Sequence, residues 1–75
     1  MPSKYPPPPA VGTAYVDSDG VHWLVHRLTV SDSFADFYLV HLRFGPSPDA
    51  MDSAWVLAPS EFAALERGKD LTKKS

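Results

Sequence analysis

The chain contains no cysteine. It therefore has no disulfide bonds, and no thiolate that can act as a nucleophile or a metal ligand. Glycine is scarce, with four residues in a chain of 75, and the sequence has no GxGxxG, P-loop or GxSxG pattern to cradle a phosphate or expose a catalytic serine. These absences remove the commonest sequence signs of nucleotide binding and of covalent catalysis.

Long apolar runs and clustered basic residues are missing as well. No segment approaches the ~20 apolar residues of a membrane span, and the N-terminal MPSKYPPPPA lacks the apolar centre of a signal peptide. Residues 11–66 carry eight acidic residues against two arginines, a net charge of −6, whereas binding to a phosphate backbone needs a cationic face. We therefore expect a cytoplasmic protein with no membrane partner and no strong affinity for nucleic acids.

The two ends of the chain differ in composition from its centre. The proline run Pro6 to Pro9 favours an extended polyproline II conformation, so we interpret residues 1–10 as a flexible Pro-rich arm. Whether this arm is a ligand for an aromatic groove of another domain is left open. Lysine dominates the other end, and 72–75 is interpreted as a flexible basic tail. Residues 11–71 remain as a single domain.

Four runs of β-forming residues lie between the ends. They are TAYV, VHWLVHRLTV, ADFYLVHLRF and SAWVLA, and the Asp19-Gly20 pair between the first two suits a type I′ hairpin. The segment PSEFAALERG then predicts a helix with Pro59 at its first position and Gly68 at its end. The sequence thus predicts a mostly β, α+β fold. It has a small antiparallel sheet of three to four strands, open or curled into an SH3-like barrel, and one short C-terminal helix.

Two histidines four residues apart, His22 and His26, invite a metal-site interpretation, because on a helix they lie one turn apart on one face. The β-branched and aromatic residues around them favour a strand instead, in which four residues span about 13 Å. The two imidazoles then cannot hold one ion. A domain of this size also rarely forms a ligand pocket. We therefore expect no catalytic residue, no metal, no cofactor and no small-molecule ligand.

Alternation along the second and third strands predicts the core. A tight turn at Asp32-Ser33 places Val25 opposite Val40, and the same register places Trp23 opposite Leu42. The helix is expected to cover this face of the sheet. The predicted core residues are Val21, Trp23, Val25, Tyr38, Val40, Leu42, Phe44, Trp55, Phe62 and Leu65.

The opposite face of the sheet is predicted to be half apolar and half histidine. Monomers seldom leave a continuous apolar patch in water, so we interpret this face as a surface that binds a partner protein or a second copy of the chain. In this arrangement His41 lies diagonal to both His22 and His26. The predicted members of the face are Tyr15, His22, Leu24, His26, Leu28, Phe37, Leu39, His41 and Arg43.

Two other functions are alternatives to this protein-interaction module. Three imidazoles on one face repel one another when they are protonated below about pH 6.5, which favours a pH-responsive module, and pairs of them can bind Zn²⁺, which favours a metal-responsive one. The aromatic residues of the sheet indicate a weak single-stranded nucleic-acid binder, although the acidic body offers no cationic groove. We favour the interaction module and expect no enzymatic activity.

Overall fold

A computed structural model describes residues 6–31, 33 and 37–73. Within them the chain forms one antiparallel sheet with the strand order β4-β3-β2-β1-β5, and one helix. The mostly β fold is as predicted. The elements are β1 Ala14–Val16, β2 His22–Val30, β3 Tyr38–Gly45, β4 Ser53–Leu57, α1 Pro59–Lys69 and β5 Thr72–Lys73.

The fifth strand differs from the prediction. Thr72 and Lys73, assigned from composition to the flexible tail, pair with Val16 and Tyr15 of β1. Two residues are too few to show the alternation of a strand, so no sequence pattern predicts this element. Residues 74–75 of the predicted tail lie outside the described residues. The edge strands β4 and β5 do not pair with each other in the described chain. The sheet is therefore open, and the SH3-like barrel is not confirmed.

One face of the sheet packs against α1 and carries the core. Tyr15 meets Phe62 of the helix edge-on, with ring centroids 6.2 Å apart, while Leu65 and Phe44 are partly buried against the same cluster. Each fully buried side chain of this kind contributes about 1.5–3 kcal/mol. The buried apolar residues are Tyr15, Trp23, Val25, Tyr38, Val40, Leu42 and Phe62.

β2 and β3 pair in a register that differs from the predicted one. Val25 lies opposite Leu42 instead of Val40, and Trp23 lies opposite Phe44 instead of Leu42. A displacement of two residues leaves each of these side chains on its predicted face, because side chains alternate along a strand with a period of two. The predicted pairing is therefore wrong, whereas the predicted core face of these strands is confirmed.

The connection between the two strands accounts for the displacement together with the extra residue of β2 that is described below. The pairing ends with Val30 opposite Tyr38, and the Ser31 N–H donates to the Phe37 carbonyl at 3.1 Å. The tight turn predicted at Asp32-Ser33 is thus replaced by a longer connection, much of which lies outside the described residues. Without the turn length, the register cannot be set from the sequence.

An irregularity interrupts β2 at His26. The register shifts between Val25 and Arg27, so His26 is an extra residue that has no counterpart in β3. One inserted residue reverses the alternation of the strand that follows. Leu28 consequently lies opposite Val40 and packs against the core. Its predicted place on the opposite face is wrong for this reason.

A buried carboxylate closes the hairpin between β1 and β2. The side chain of Asp17 is 6% exposed. One oxygen accepts the Trp23 indole N–H at 2.9 Å, and the other accepts the backbone N–H groups of Asp19 at 2.8 Å and Val21 at 3.0 Å. Burial alone raises the pKa of Asp17, but these hydrogen bonds and the charge of Lys69 outweigh it and hold the pKa below its ordinary value of 3.8.

The helix begins where predicted and ends later. Pro59 is its first residue, and the Glu61 carboxylate accepts the Ala58 backbone N–H at 2.9 Å. At the other end Asp70 adopts the left-handed conformation with φ 56°, a position that more often holds glycine. Gly68, the predicted end, therefore lies inside the helix.

The Pro-rich arm touches the sheet near Tyr38, whose hydroxyl donates to the Pro6 carbonyl at 2.7 Å. Further along, the Gly12 N–H donates to the Val25 carbonyl at 2.8 Å. The chain that leads into β1 is thus held at both of these points. Residues 1–5 lie outside the described residues, and the flexibility assigned to residues 1–10 stays a prediction.

Asp17→Asn tests the buried carboxylate. An amide offers one acceptor oxygen in place of two, so we expect the free energy of unfolding at pH 7 to fall by about 2 kcal/mol. Because the folded-state pKa of Asp17 is depressed, its stabilisation is present above pH 3.8 and is lost as the pH falls through the lower folded value. The difference in the free energy of unfolding between the wild type and Asp17→Asn, measured by urea unfolding, should therefore decrease as the pH is lowered from 5 to 2.

Asp19→Asn is the matched control, because Asp19 is exposed in the same turn and Asn suits turns equally well. We expect its stability to stay within about 0.5 kcal/mol of the wild type at every pH. A constant gap for Asp17→Asn across the acid range would contradict the assignment of a charged, hydrogen-bonded Asp17.

Candidate interaction face

The sheet face turned away from α1 is not covered by any element of the described chain. Residues directly opposite each other in neighbouring strands share a face, so the pairing registers identify its members. We call this set the open face. Its members are Ala14, Val16, His22, Leu24, Arg27, Thr29, Leu39, His41, Arg43, Ala54, Val56 and Thr72.

Two arginines and a histidine lie at the centre of the open face. Arg27 is directly opposite His41, and Arg43, two residues from His41 along β3, is a diagonal neighbour of Arg27. The Thr29 hydroxyl and Nε2 of His41 are 2.8 Å apart in a hydrogen bond. Both arginines are exposed, and neither forms an ion pair with a carboxylate of the described chain. Their guanidinium donors are therefore available to a partner.

Apolar side chains surround this centre. Leu24 lies opposite Arg43, Val56 lies opposite His41, and Leu39 is two residues from His41 along β3. The side chain of Val56 is 53% exposed, while Leu24 and Leu39 are half-buried among their neighbours. Such a mixture of accessible apolar area and unpaired arginine donors is typical of protein-binding surfaces.

The strand positions of the open face hold no Asp or Glu, although residues 11–66 are acidic as a whole. They hold both arginines of that segment. Among the described residues the acids lie beyond these positions, with Asp52 directly before β4, and two guanidinium charges without an acid at a neighbouring strand position favour contact with an anionic group. The described acids lie in the core, in connections and on the helix: Asp17, Asp19, Asp49, Asp52, Glu61, Glu66 and Asp70.

Part of the predicted face is found on the open face, namely His22, Leu24, Leu39, His41 and Arg43. Tyr15 is not, because the first hairpin pairs it with the core residue Trp23. It is 3% exposed, and its burial, together with the nearby Glu66, raises the pKa of its hydroxyl. Tyr15 is therefore a core residue.

Two further predicted members also differ, and a third is not assigned. Leu28 packs on the helix side. His26 is exposed, but it has no partner in β3, so the registers do not assign it to a face. Phe37 precedes β3 and is half-buried in the connection. These departures have two origins. Leu28 lies beyond the point where the alternation of β2 is interrupted, and Phe37 precedes β3 because the predicted third strand begins too early.

The predicted cluster of three histidines is not formed. His22 lies opposite Gly45, and Gly45 is four residues from His41, a distance of roughly 13 Å along a strand. Among the described residues there is no group of three or more His, Cys, Asp or Glu side chains placed to hold a metal ion. A histidine-based pH or metal response therefore has no particular arrangement of side chains in its favour.

Seven members of the open face are absent from the predicted set: Ala14, Val16, Arg27, Thr29, Ala54, Val56 and Thr72. Arg27 and Thr29 reach it only because His26 reverses the alternation of β2. Ala54 and Val56 belong to β4, whose pairing with β3 cannot be read from its own sequence. The remaining signal, an Arg-x-Thr pattern in a strand otherwise rich in apolar residues, does not by itself identify a face.

The exposed apolar residue Trp55 lies at the edge of the other face. Trp55, predicted for the core, is 47% exposed, although its ring contacts Phe44 at 5.1 Å and Trp23 at 5.7 Å between centroids. The prediction of burial is wrong because β4 is an edge strand, and α1 does not cover its outer side. Trp55 therefore lies at the rim of the core.

Comparisons with protein-family models, with curated proteins and with solved structures found no match for this chain. The function must therefore be argued from the open face itself. Within residues 6–31, 33 and 37–73, no helix has both the length and the apolar character needed to cross a membrane.

A matched pair of valine substitutions tests which face is covered. Val40 is 0% exposed, whereas Val56 is 53% exposed on the open face. Val40→Thr buries a hydroxyl in the core, and we expect it to lower the free energy of unfolding by about 2 kcal/mol. Val56→Thr keeps the shape and the β propensity of the side chain on an exposed position, so we expect a change within about 0.5 kcal/mol.

Chemical unfolding followed by tryptophan fluorescence measures both values. The difference between the two variants is the quantity that matters, because the chemical change is identical. Similar losses for Val40→Thr and Val56→Thr would mean that the supposed open face is covered by the chain, and the candidate interaction face would then be abandoned.

Proposed function

We propose that the protein is a non-enzymatic, cytoplasmic interaction module that binds another polypeptide through the open face. The observation that carries this proposal is the uncovered apolar set Leu24, Leu39 and Val56 around the unpaired side chains of Arg27 and Arg43. A polypeptide that covers these residues removes apolar surface from water and satisfies the guanidinium donors at the same time.

The other side of the sheet supports a fixed shape for this surface. The strand residues between the open-face positions are anchored in the core, where Val25, Val40 and Leu42 have at most 1% exposure. Side chains presented by strands are held more rigidly than those of loops. Binding therefore requires little ordering of the module, which lowers the entropic cost of association.

Catalysis is not part of the proposal. The hydrogen bond between Thr29 and His41 has the length of a nucleophile–base pair, but a working pair needs a third group to orient the base and a site that excludes water. The strand positions around His41 on the open face hold no acid. A sheet surface also lacks the concave shape in which reacting groups are desolvated.

The finer predictions about the fold and the partner stay open within this proposal. A closed SH3-like barrel requires pairing of the two edge strands, and binding through the open face does not depend on it. The partner is either a different protein or a second copy of the chain. Both cover the same residues, so one experiment on the face addresses both.

Photo-crosslinking from the open face tests the proposal. Val56→p-benzoylphenylalanine places a reactive group at an exposed open-face position, and Ala64→p-benzoylphenylalanine places it at an exposed position of α1. After irradiation of cells that naturally make the protein, we expect the Val56 variant to give one discrete adduct on a denaturing gel, because the partner lies against this position. The Ala64 variant should give none.

The identity of the adduct, read by mass spectrometry, separates a different protein from a second copy. Leu39→p-benzoylphenylalanine is the confirming variant and should give the same adduct. The proposal fails if the adducts from Val56 and Ala64 are equal, or if neither open-face variant gives an adduct in cells where the protein is folded.

A further inference from the structure

The partner of the open face can be specified by its chemistry. We infer that it is an acidic amphipathic helix of another protein, which lies across β2, β3 and β4 with its carboxylates on Arg27 and Arg43. This inference rests on the proposed function, since it names the partner of the same surface.

Charge is the first argument. The centre of the open face presents two exposed guanidinium groups that have no ion pair within the described chain. A guanidinium binds a carboxylate through two parallel hydrogen bonds, a geometry that lysine does not reproduce. A partner with Asp or Glu at the matching positions therefore gains charge-assisted hydrogen bonds that a neutral or basic partner cannot form.

The same charge disfavours a symmetric dimer of the chain through this face. A two-fold interface places the same patch of both copies together. Arg27 and Arg43 of one copy would then meet those of the other, with His41 of each copy nearby and no carboxylate from the strand positions of either. Juxtaposed like charges in an interface oppose association. A second copy is therefore not the occupant of the open face.

Nucleic acid fits the face less well than an acidic polypeptide does. Single-strand binders stack bases on aromatic rings, and no Phe, Tyr or Trp occupies a strand position of the open face. Two arginines are also few for a phosphate backbone, and the net charge of −6 over residues 11–66 repels a long polyanion. A short acidic helix meets the local positive charge without extending over the acidic parts.

The spacing of apolar and basic residues indicates a helical occupant. Strands lie about 4.8 Å apart, so β2, β3 and β4 together match the ~10 Å width of a helix. Leu24, Leu39 and Val56 belong to these three strands and alternate with the basic residues. A helix with an apolar stripe flanked by acids meets both kinds of side chain, and it covers the sheet as α1 covers the other face.

A labelled peptide tests the inference directly. The probe is a fluorescein-labelled 16-residue peptide of Leu and Glu, with Leu at every third or fourth position, and the control peptide has Gln in place of every Glu. Fluorescence polarisation with the full chain in 50 mM salt should show saturable binding of the Glu probe. We expect the Gln peptide to bind at least tenfold more weakly, and binding of the Glu probe to weaken in 500 mM salt.

Variants of the protein locate the binding. Arg27→Glu/Arg43→Glu should reduce affinity for the Glu probe at least tenfold, and Arg27→Lys/Arg43→Lys should retain part of it, because charge is kept and the bidentate geometry is lost. Arg67→Glu, an exposed arginine of α1, is the matched control and should bind like the wild type. Circular dichroism melting curves verify that each variant is folded.

Several results would overturn the inference. For the peptides, they are equal binding of the Glu and Gln peptides, no binding of the Glu probe up to 1 mM, or competition by a 15-nucleotide oligo-dT. For the protein, they are full binding of the Glu probe by the Arg27→Glu/Arg43→Glu variant, or a dimer of the wild type in sedimentation experiments that the Val56→Lys substitution dissociates. If any of these occurs while the Val56 crosslink persists, the acidic partner is wrong and the proposed function stands. If the crosslink is absent as well, both fail.

Discussion

The hydrogen bond between the Asp17 carboxylate and the Trp23 indole organises the molecule, because it joins the first turn to the largest side chain of the core. The carboxylate also accepts two backbone N–H groups of the turn, which sets the pairing of β1 with β2 and places Tyr15 opposite Trp23. The indole stacks on Phe44 at 4.4 Å between centroids. A charged acceptor in this buried position is worth about 1.5–3 kcal/mol per hydrogen bond, a large share of the stability of so small a domain.

The extra residue at His26 decides what the open face presents. Without it, Arg27 and Thr29 would turn toward α1, and Leu28 would turn toward solvent. The irregularity exchanges them: it adds an arginine and a hydroxyl to the exposed surface and a leucine to the core. An inserted residue in a strand costs a backbone pairing. Here it separates basic from acidic side chains, which an uninterrupted alternation would not do.

This separation of charge gives the proposed function its physical basis. The composition is acidic, and composition alone argues against any affinity for anions. The fold places Arg27 and Arg43 together on one surface whose strand positions hold no acid, so the charge that a partner meets at this centre differs in sign from the net charge of the body. In the proposed complex, apolar residues on the same surface supply the buried area, and the arginines supply the selectivity for an acidic partner.

The amino-acid sequence alone predicts the mostly β character, the start of the helix and most of the core, because β-branched and aromatic residues, the proline at a helix start and the period-2 alternation are local properties. It also determined that His22, Leu24, Leu39, His41 and Arg43 share a face, since a displacement of two residues in register preserves the side on which each residue lies. Tertiary contacts set the place of Tyr15, the inversion at His26, the two-residue β5 and the exposure of Trp55. Each of these outcomes depends on pairing between segments that are distant in the sequence. The length of a connection, or one unpaired residue in a strand, leaves no pattern in the residues whose positions it changes.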